Sequence, residues 1–407
     1  MTNSSSFSRW LRGGAARRGI RGPLQAACFV SGLLLLSLFS AFAQAQTEDA
    51  AAFSQFRPRR EIPGVGFIGA EVCAACHTGK AHSQTSMARA LSVAAESPVL
   101  RSHPRMSFRA GPYSYEIASD GEQSLYRVTD GKDTISEPIA YVFGHGNIAQ
   151  TYVLRHNGKL YEGRVSYYTG IDGLDWTIGD ALEPSPSLQE AFGRDISGDE
   201  ARNCFSCHGT AAVIDDKLEL GRLVPGVGCE ACHGPGAQHI AAMASGKKGG
   251  RYIFNPRALD ADTLSQEFCG ACHRGADTVG MMPDLGGINN VRFQPYRISL
   301  SRGHNSNDRH FACTTCHDPH VELNHAPAGY DARCTECHAR GVPRPVPAAT
   351  QEAAPRRQTT APAAKPCPVA SEGCVTCHMP KVELPGAHFE FTDHRIRIAR
   401  PGQPYPY

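Results

Sequence analysis

Two thiols three positions apart, with an imidazole directly behind them, recur seven times in this chain of 407 residues. The copies are "CAACH" from 73, "CFSCH" from 204, "CEACH" from 229, "CGACH" from 269, "CTTCH" from 313, "CTECH" from 334 and "CVTCH" from 374. They use fourteen of the sixteen cysteines and leave Cys28 and Cys367. C-x-x-C opens zinc sites, disulfides and redox dithiols as well as covalent haem, so the residue after it decides. Tetrahedral zinc needs four ligands but no histidine behind every pair, and neither a disulfide nor a thioredoxin-like dithiol requires one. Histidine fills 18 of the 407 positions, so chance would place it behind all seven pairs with a probability of roughly 10⁻⁹. C-x-x-C-H is the signature of c-type haem attachment.

The spacing has a mechanical reason. Thiols at i and i+3 share one side of a helical turn, where they can form thioethers to the two haem vinyl groups, and the imidazole at i+4 reaches the iron from the same face. The expected anchors are Cys73, Cys76, Cys204, Cys207, Cys229, Cys232, Cys269, Cys272, Cys313, Cys316, Cys334, Cys337, Cys374 and Cys377. The expected proximal ligands are His77, His208, His233, His273, His317, His338 and His378. Six of the motifs fall between residues 204 and 378, about one every 29 residues. That leaves too little chain to bury each porphyrin under ordinary layers of helix or sheet. The fold class expected is therefore a multihaem cytochrome c, with short α-helices and irregular loops around stacked haems. The 41 glycines and 28 prolines suit such a chain.

The elements around the motifs divide the sequence. Five arginines up to Arg21, then "AACFVSGLLLLSLFSAFA" and small-residue sites ending at Ala45, read as a signal peptide over 1–45. An uncleaved anchor helix is the alternative. Loss of this segment and its five arginines would turn the formal charge of +2 into −3, and haem propionates would lower it further. Nothing in the charge distribution suggests a nucleic-acid surface, and no other stretch is long enough to span a membrane. The mature protein is expected in the periplasm or outside the cell.

Residues 46–66 read as a flexible lead-in and 67–105 as the first haem segment. Between 106 and 180 the pattern changes: "YSYEI", "SLYRV", "AYVFG", "TYVLR" and "KLYEGRVSYY" alternate, with Asp120-Gly121, Asp130-Gly131 and Asn157-Gly158 as turns. A small antiparallel β insert is expected there. "SLQE" at 187 and "SGDE" at 197 read as capping boxes, the second starting a helix that runs into Cys204. Residues 181–340 form a five-haem segment, 341–372 a Pro/Ala-rich linker and 373–400 the last haem segment.

The phrases "CHGPGAQH", "CHDPH" and "CHMPKVELPGAHFEFTDHRIRI" add histidines just past three motifs. Together with the motifs they resemble the multihaem cytochrome c superfamily, which includes ammonia-oxidiser tetrahaem cytochromes, octahaem tetrathionate reductases and hydroxylamine oxidoreductases. Seven- or eight-haem periplasmic cytochromes with "FG-G----TY", "VRFQPYR" and "H---TDH" segments are similar over most of residues 65–400. The resemblance implies that His239 and His394 are distal ligands to other haems of the stack. His320 and His388 are the next candidates, then His103, and one of His304 and His310 for the fifth haem. His82, His145, His156 and His325 read as bystanders. In "CHTGKAHSQTSMARA", Met87 stands where the superfamily offers a histidine, so it is either a thioether ligand or apolar packing.

Seven covalent haems c imply electron transfer between redox protein partners: a quinol-linked donor on one side, a terminal reductase or extracellular acceptor on the other. Enzymatic activity is the alternative, as a reductase of nitrite, hydroxylamine or a sulfur oxyanion with one open haem. No C-x-x-C-K, the mark of the pentahaem nitrite reductases, occurs. A structural unit of an extracellular cytochrome filament fits the sequence as well.

Overall fold

The computed structural model describes residues 53–59, 65–78, 82–119, 123–179, 183, 185–281, 287–302, 304, 311–338, 367–400 and 402–406. The expected signal peptide, most of the lead-in, the Asp120-Gly121 turn, His310 and most of the Pro/Ala-rich linker lie outside these residues.

Ten strands make one antiparallel sheet: β1 Leu91–Val93, β2 Arg105–Ala110, β3 Tyr113–Ser119, β4 Ser124–Thr129, β5 Thr134–Phe143, β6 Ala149–His156, β7 Lys159–Gly163, β8 Val165–Tyr168, β9 Gly173–Trp176 and β10 Gly193–Asp195. Seven of them lie in the order β10-β7-β6-β5-β4-β3-β2, with β1 paired to β5 and β8 bridging β6 to β9. The sheet is larger than the small insert expected over 106–180. Its outlying strands are three residues each, too short to show an alternating pattern.

Strand formation follows from alternation. Tyr113, Tyr115 and Ile117 on β3 and Tyr126 and Val128 on β4 face one side and are buried, while their neighbours are not. Asn157 and Gly158 both adopt positive φ, 50° and 77°, as a two-residue hairpin between β6 and β7 requires. The sheet curls until Trp176 on β9 meets Phe108 on β2 edge-on, ring centres 5.3 Å apart. The interior so enclosed is built from tyrosine, valine, isoleucine and leucine, with Phe192 closing one side.

The helices are short. They are α1 Ala70–Ala74, α2 Pro98–Ser102, α3 Leu188–Phe192, α4 Asp199–His208, α5 Cys229–His233, α6 Ala237–Ala244, α7 Gly270–His273, α8 Ala276–Gly280, α9 Gln294–Ser299, α10 Cys313–Cys316, α11 Asp331–His338 and α12 Cys374–His378. A π-helical turn, Thr263–Cys269, leads straight into α7. Ser187 caps α3 by accepting the Glu190 N–H, as expected. Ser197 does not cap α4. Gly198 takes that position, and the Ser197 hydroxyl instead accepts the Leu160 N–H on β7.

Two further clusters tie helices to the rest. Phe205 of α4 is fully buried and sets its ring edge-on to Tyr141 and Phe143 of β5, at 5.1 and 5.2 Å. Phe53, Phe56, Phe254, Leu264 and Phe268 pack beneath Cys232 and Cys269. No described helix is long and apolar enough to cross a membrane.

Candidate haem sites

Each of the seven motifs lies on, or runs off, one of these short helices. The motifs also touch one another. Cysteine sulfurs of different motifs lie beside one another: Cys73 by Cys229, Cys207 by Cys272, Cys269 by Cys313 and Cys374 by Cys334. Burial pushes the Cys232 thiol up to about 11, with Cys229 adding to the effect.

The imidazoles form opposed pairs. His77 and His239 stack with ring centres 6.4 Å apart and planes 29° from parallel. His233 and His320 do the same at 6.2 Å and 19°, and His317 and His394 lie at 6.2 Å with a 41° tilt. Each pair joins a motif histidine to one of the expected distal histidines. Two imidazoles bound to opposite faces of one metal, each nitrogen about 2 Å from it, have ring centres roughly 6 Å apart. The residues present therefore fit an iron held between them. Among the described residues no three His, Cys, Asp or Glu side chains converge as an all-protein metal cage would require.

Hydrogen bonds set the tautomers. Nδ1 of His239 bonds the Gly249 carbonyl, that of His394 the Thr392 carbonyl, and that of His320 the Asp318 carboxylate. Among the motif histidines, Nδ1 of His208, His233 and His378 bonds Ala90, Phe254 and Arg397 carbonyls. With Nδ1 donating, Nε2 carries the lone pair and is left for a metal. Burial holds His394 down at about 4, with His317 beside it adding to the effect. Burial likewise holds His208, His233, His273 and His317 below the ordinary histidine value.

Other candidates have different surroundings. Nε2 of His103 lies 2.9 Å from Asp172 Oδ1, and Nε2 of His388 lies 2.7 Å from Asp175 Oδ2. Both carboxylates sit at the β8–β9 end of the sheet. His388 has left-handed backbone, φ 49°, and its carbonyl presses on Gly170, where a Cβ would come within 2.3 Å. Met87 is half-buried, and its carbonyl accepts the N–H groups of Ala90 and Val227. His304 lies 3.8 Å from Asp262, His338 is exposed, and His82 is buried with its ring nitrogens against the Val227 and Pro319 carbonyls.

The family described as "Cytochrome c554 and c-prime" matches residues 182–234. That segment holds the second and third motifs, and the match supports covalent haem c in this chain. No curated protein matches. Among solved structures, the chain is similar to the undecahaem cytochrome from the S-layer of Carboxydothermus ferrireducens, at 17% identity and a TM-score of 0.42, over 84% of this chain and 53% of that one. The outer cell wall cytochrome OcwA is similar at 19% identity and a TM-score of 0.29, over 51% of this chain and 37% of that one. This chain spans about half the length of the undecahaem cytochrome. Scores at this level do not show that the path of the chain is shared.

Three residues near the pairs had no role in the sequence reading. Glu230, inside the third motif, is buried and accepts backbone N–H groups from two other segments. Arg297 and Asp393 are fully buried and form a two-pronged ion pair at 2.9 and 3.0 Å, which Arg397 joins. Asp393 precedes His394, so the pair fixes the segment that presents this imidazole. Both residues lie in phrases quoted above, "VRFQPYR" and "H---TDH".

Proposed function

We propose that this chain is a seven-haem c-type cytochrome that carries electrons between redox partners outside the cytoplasm. The observation that carries the reading is the set of three opposed histidine pairs. In each, a histidine fixed beside its two thioether cysteines faces another from beyond a motif. Where protein ligands fill both axial positions, a substrate has no place at the metal, and such a centre serves transfer rather than catalysis. When bound, haem c supplies a reversible one-electron couple. The chain's own part is to fix the tautomers of these imidazoles and keep the centres close. The sulfur contacts link the first motif to the third, the second to the fourth, the fourth to the fifth and the sixth to the seventh. A quinol-linked donor and a terminal reductase or extracellular acceptor are the partners this arrangement suits.

The test is the intact mass of the mature protein after denaturation, expected to exceed that of the polypeptide by seven haems. The oxidised protein should also be low-spin at the three paired centres. A mass without covalent haem, or one several haems short after expression in a host competent for haem attachment, would sink the reading. Steady reduction of nitrite, hydroxylamine or tetrathionate at rates ordinary for enzymes would move the chain among the reductases.

A further inference from the structure

We infer that Glu230 is a positioning residue for the axial pair of the neighbouring centre, His77 and His239. The inference rests on the haem reading above and deepens it. Glu230 lies between the cysteines of the third motif, yet its carboxylate serves the first. The side chain is 3% exposed. Its Oε2 accepts the Gly69 N–H at 2.8 Å, and its Oε1 accepts the Gly236 N–H at 2.8 Å. The Ile68 N–H reaches both oxygens, at 2.9 and 3.2 Å.

Those donors belong to the two segments that must meet. Gly69 is the N-cap of α1, which carries Cys73 and leads to His77. Gly236 is the N-cap of α6, which carries His239. N–H groups at a helix start have no partner within their own helix, so a buried one needs an outside acceptor. A buried carboxylate, for its part, is tolerated only when its lone pairs are used. One side chain meets both needs and so sets the separation of the two helices. The junction is tight: Ala237 N–H donates to the Gly66 carbonyl at 3.2 Å, and a Cβ on Gly236 would come within 2.7 Å of Ile68.

The division of labour between the oxygens makes the inference testable. Glutamine fills the same space but offers one acceptor oxygen, so E230Q must release either the α1 side or the α6 side. His77 stays tied through its own motif, whereas His239 depends on where α6 sits, so His239 is the ligand that withdraws.

The experiment uses the full-length, haem-loaded protein and its E230Q variant. Denatured mass gives the haem count, and EPR of the oxidised protein gives the spin states. E230Q is expected to keep seven haems and to gain high-spin signal equivalent to one haem. Added imidazole should return that signal to low spin, and one redox couple should shift while six stay in place. Gly236→Ala disturbs the same junction without altering the carboxylate, and is expected to give the same one-haem signal if E230Q yields no holoprotein. An unchanged low-spin spectrum with unchanged potentials in both variants would overturn the positioning role and leave the haem reading intact. High-spin signal from several haems, or a lower haem count in both variants, would overturn it too, because Glu230 would then be a general folding determinant. A wild type without covalent haem would instead defeat the haem reading itself.

Discussion

An imidazole binds a metal through a nitrogen that keeps its lone pair, so the partner of the other nitrogen settles its role. His239, His320 and His394 commit Nδ1, whereas His103 and His388 commit Nε2 to aspartates. Sequence context ranked His239 and His394 first, His320 and His388 next and His103 last, whereas their hydrogen bonds set His103 and His388 apart from the other three. Replacing His394 with alanine is expected to turn one haem high-spin without changing the haem count, and His320→Ala to do the same at another centre. His388→Ala should leave the spin state as it is. EPR of the oxidised variants checks all three, and a wholly low-spin His394→Ala protein would break the pairing with His317. The motif residues were legible in the sequence because covalent attachment imposes its spacing within five positions. The tautomers were not legible, because they depend on carbonyls brought from a distance, such as Phe254 for His233 and Ala90 for His208.

Elements meet at a few buried side chains, and the sequence shows these less well than it shows the elements. The sheet was readable where strands are long and alternate, but not at its three-residue outliers, which exist through pairing alone. Phe205 joins the sheet to α4, and Phe205→Ala is expected to cost about 3–5 kcal/mol, read as a lower unfolding midpoint in denaturant. Asp393→Ala leaves Arg297 buried without its carboxylate, a loss of about 3–5 kcal/mol. Replacing both, Arg297→Met with Asp393→Leu, should cost less than the single change in the same assay. Asp130 turns the β4–β5 hairpin, where the N–H groups of Asp133 and then Lys132 hold its carboxyl below the usual range. A depressed folded-state pKa gives a contribution that is complete above the unfolded value and fades as pH falls through the folded one. Asp130→Ala should therefore lower the denaturation midpoint near neutral pH, and the difference should shrink in acid.

At the scale of the whole molecule the fourth motif is central. Its Cys269 and Cys272 lie beside sulfurs of the fifth and second motifs, and Cys269 shares an apolar cluster with Cys232 of the third. Removing its anchors, with Cys269→Ala and Cys272→Ala together, is expected to abolish soluble holoprotein. Removing those of the seventh motif, Cys374 and Cys377, should leave soluble protein with one haem fewer. Yield and mass of the two purified variants decide this, and the reverse order would refute it. The brevity of the motif helices, four to ten residues, has a consequence for biogenesis. Helices of that length do not persist alone in water, whereas the sheet has an apolar interior of its own. In a chain exported and loaded with haem as proposed, the sheet would therefore crease at once, while the segments on either side stayed slack and open to the attachment machinery. Because the sheet lies between the first motif and the second, it would part the first attachment site from all the later ones, each of which would turn slack chain into wall.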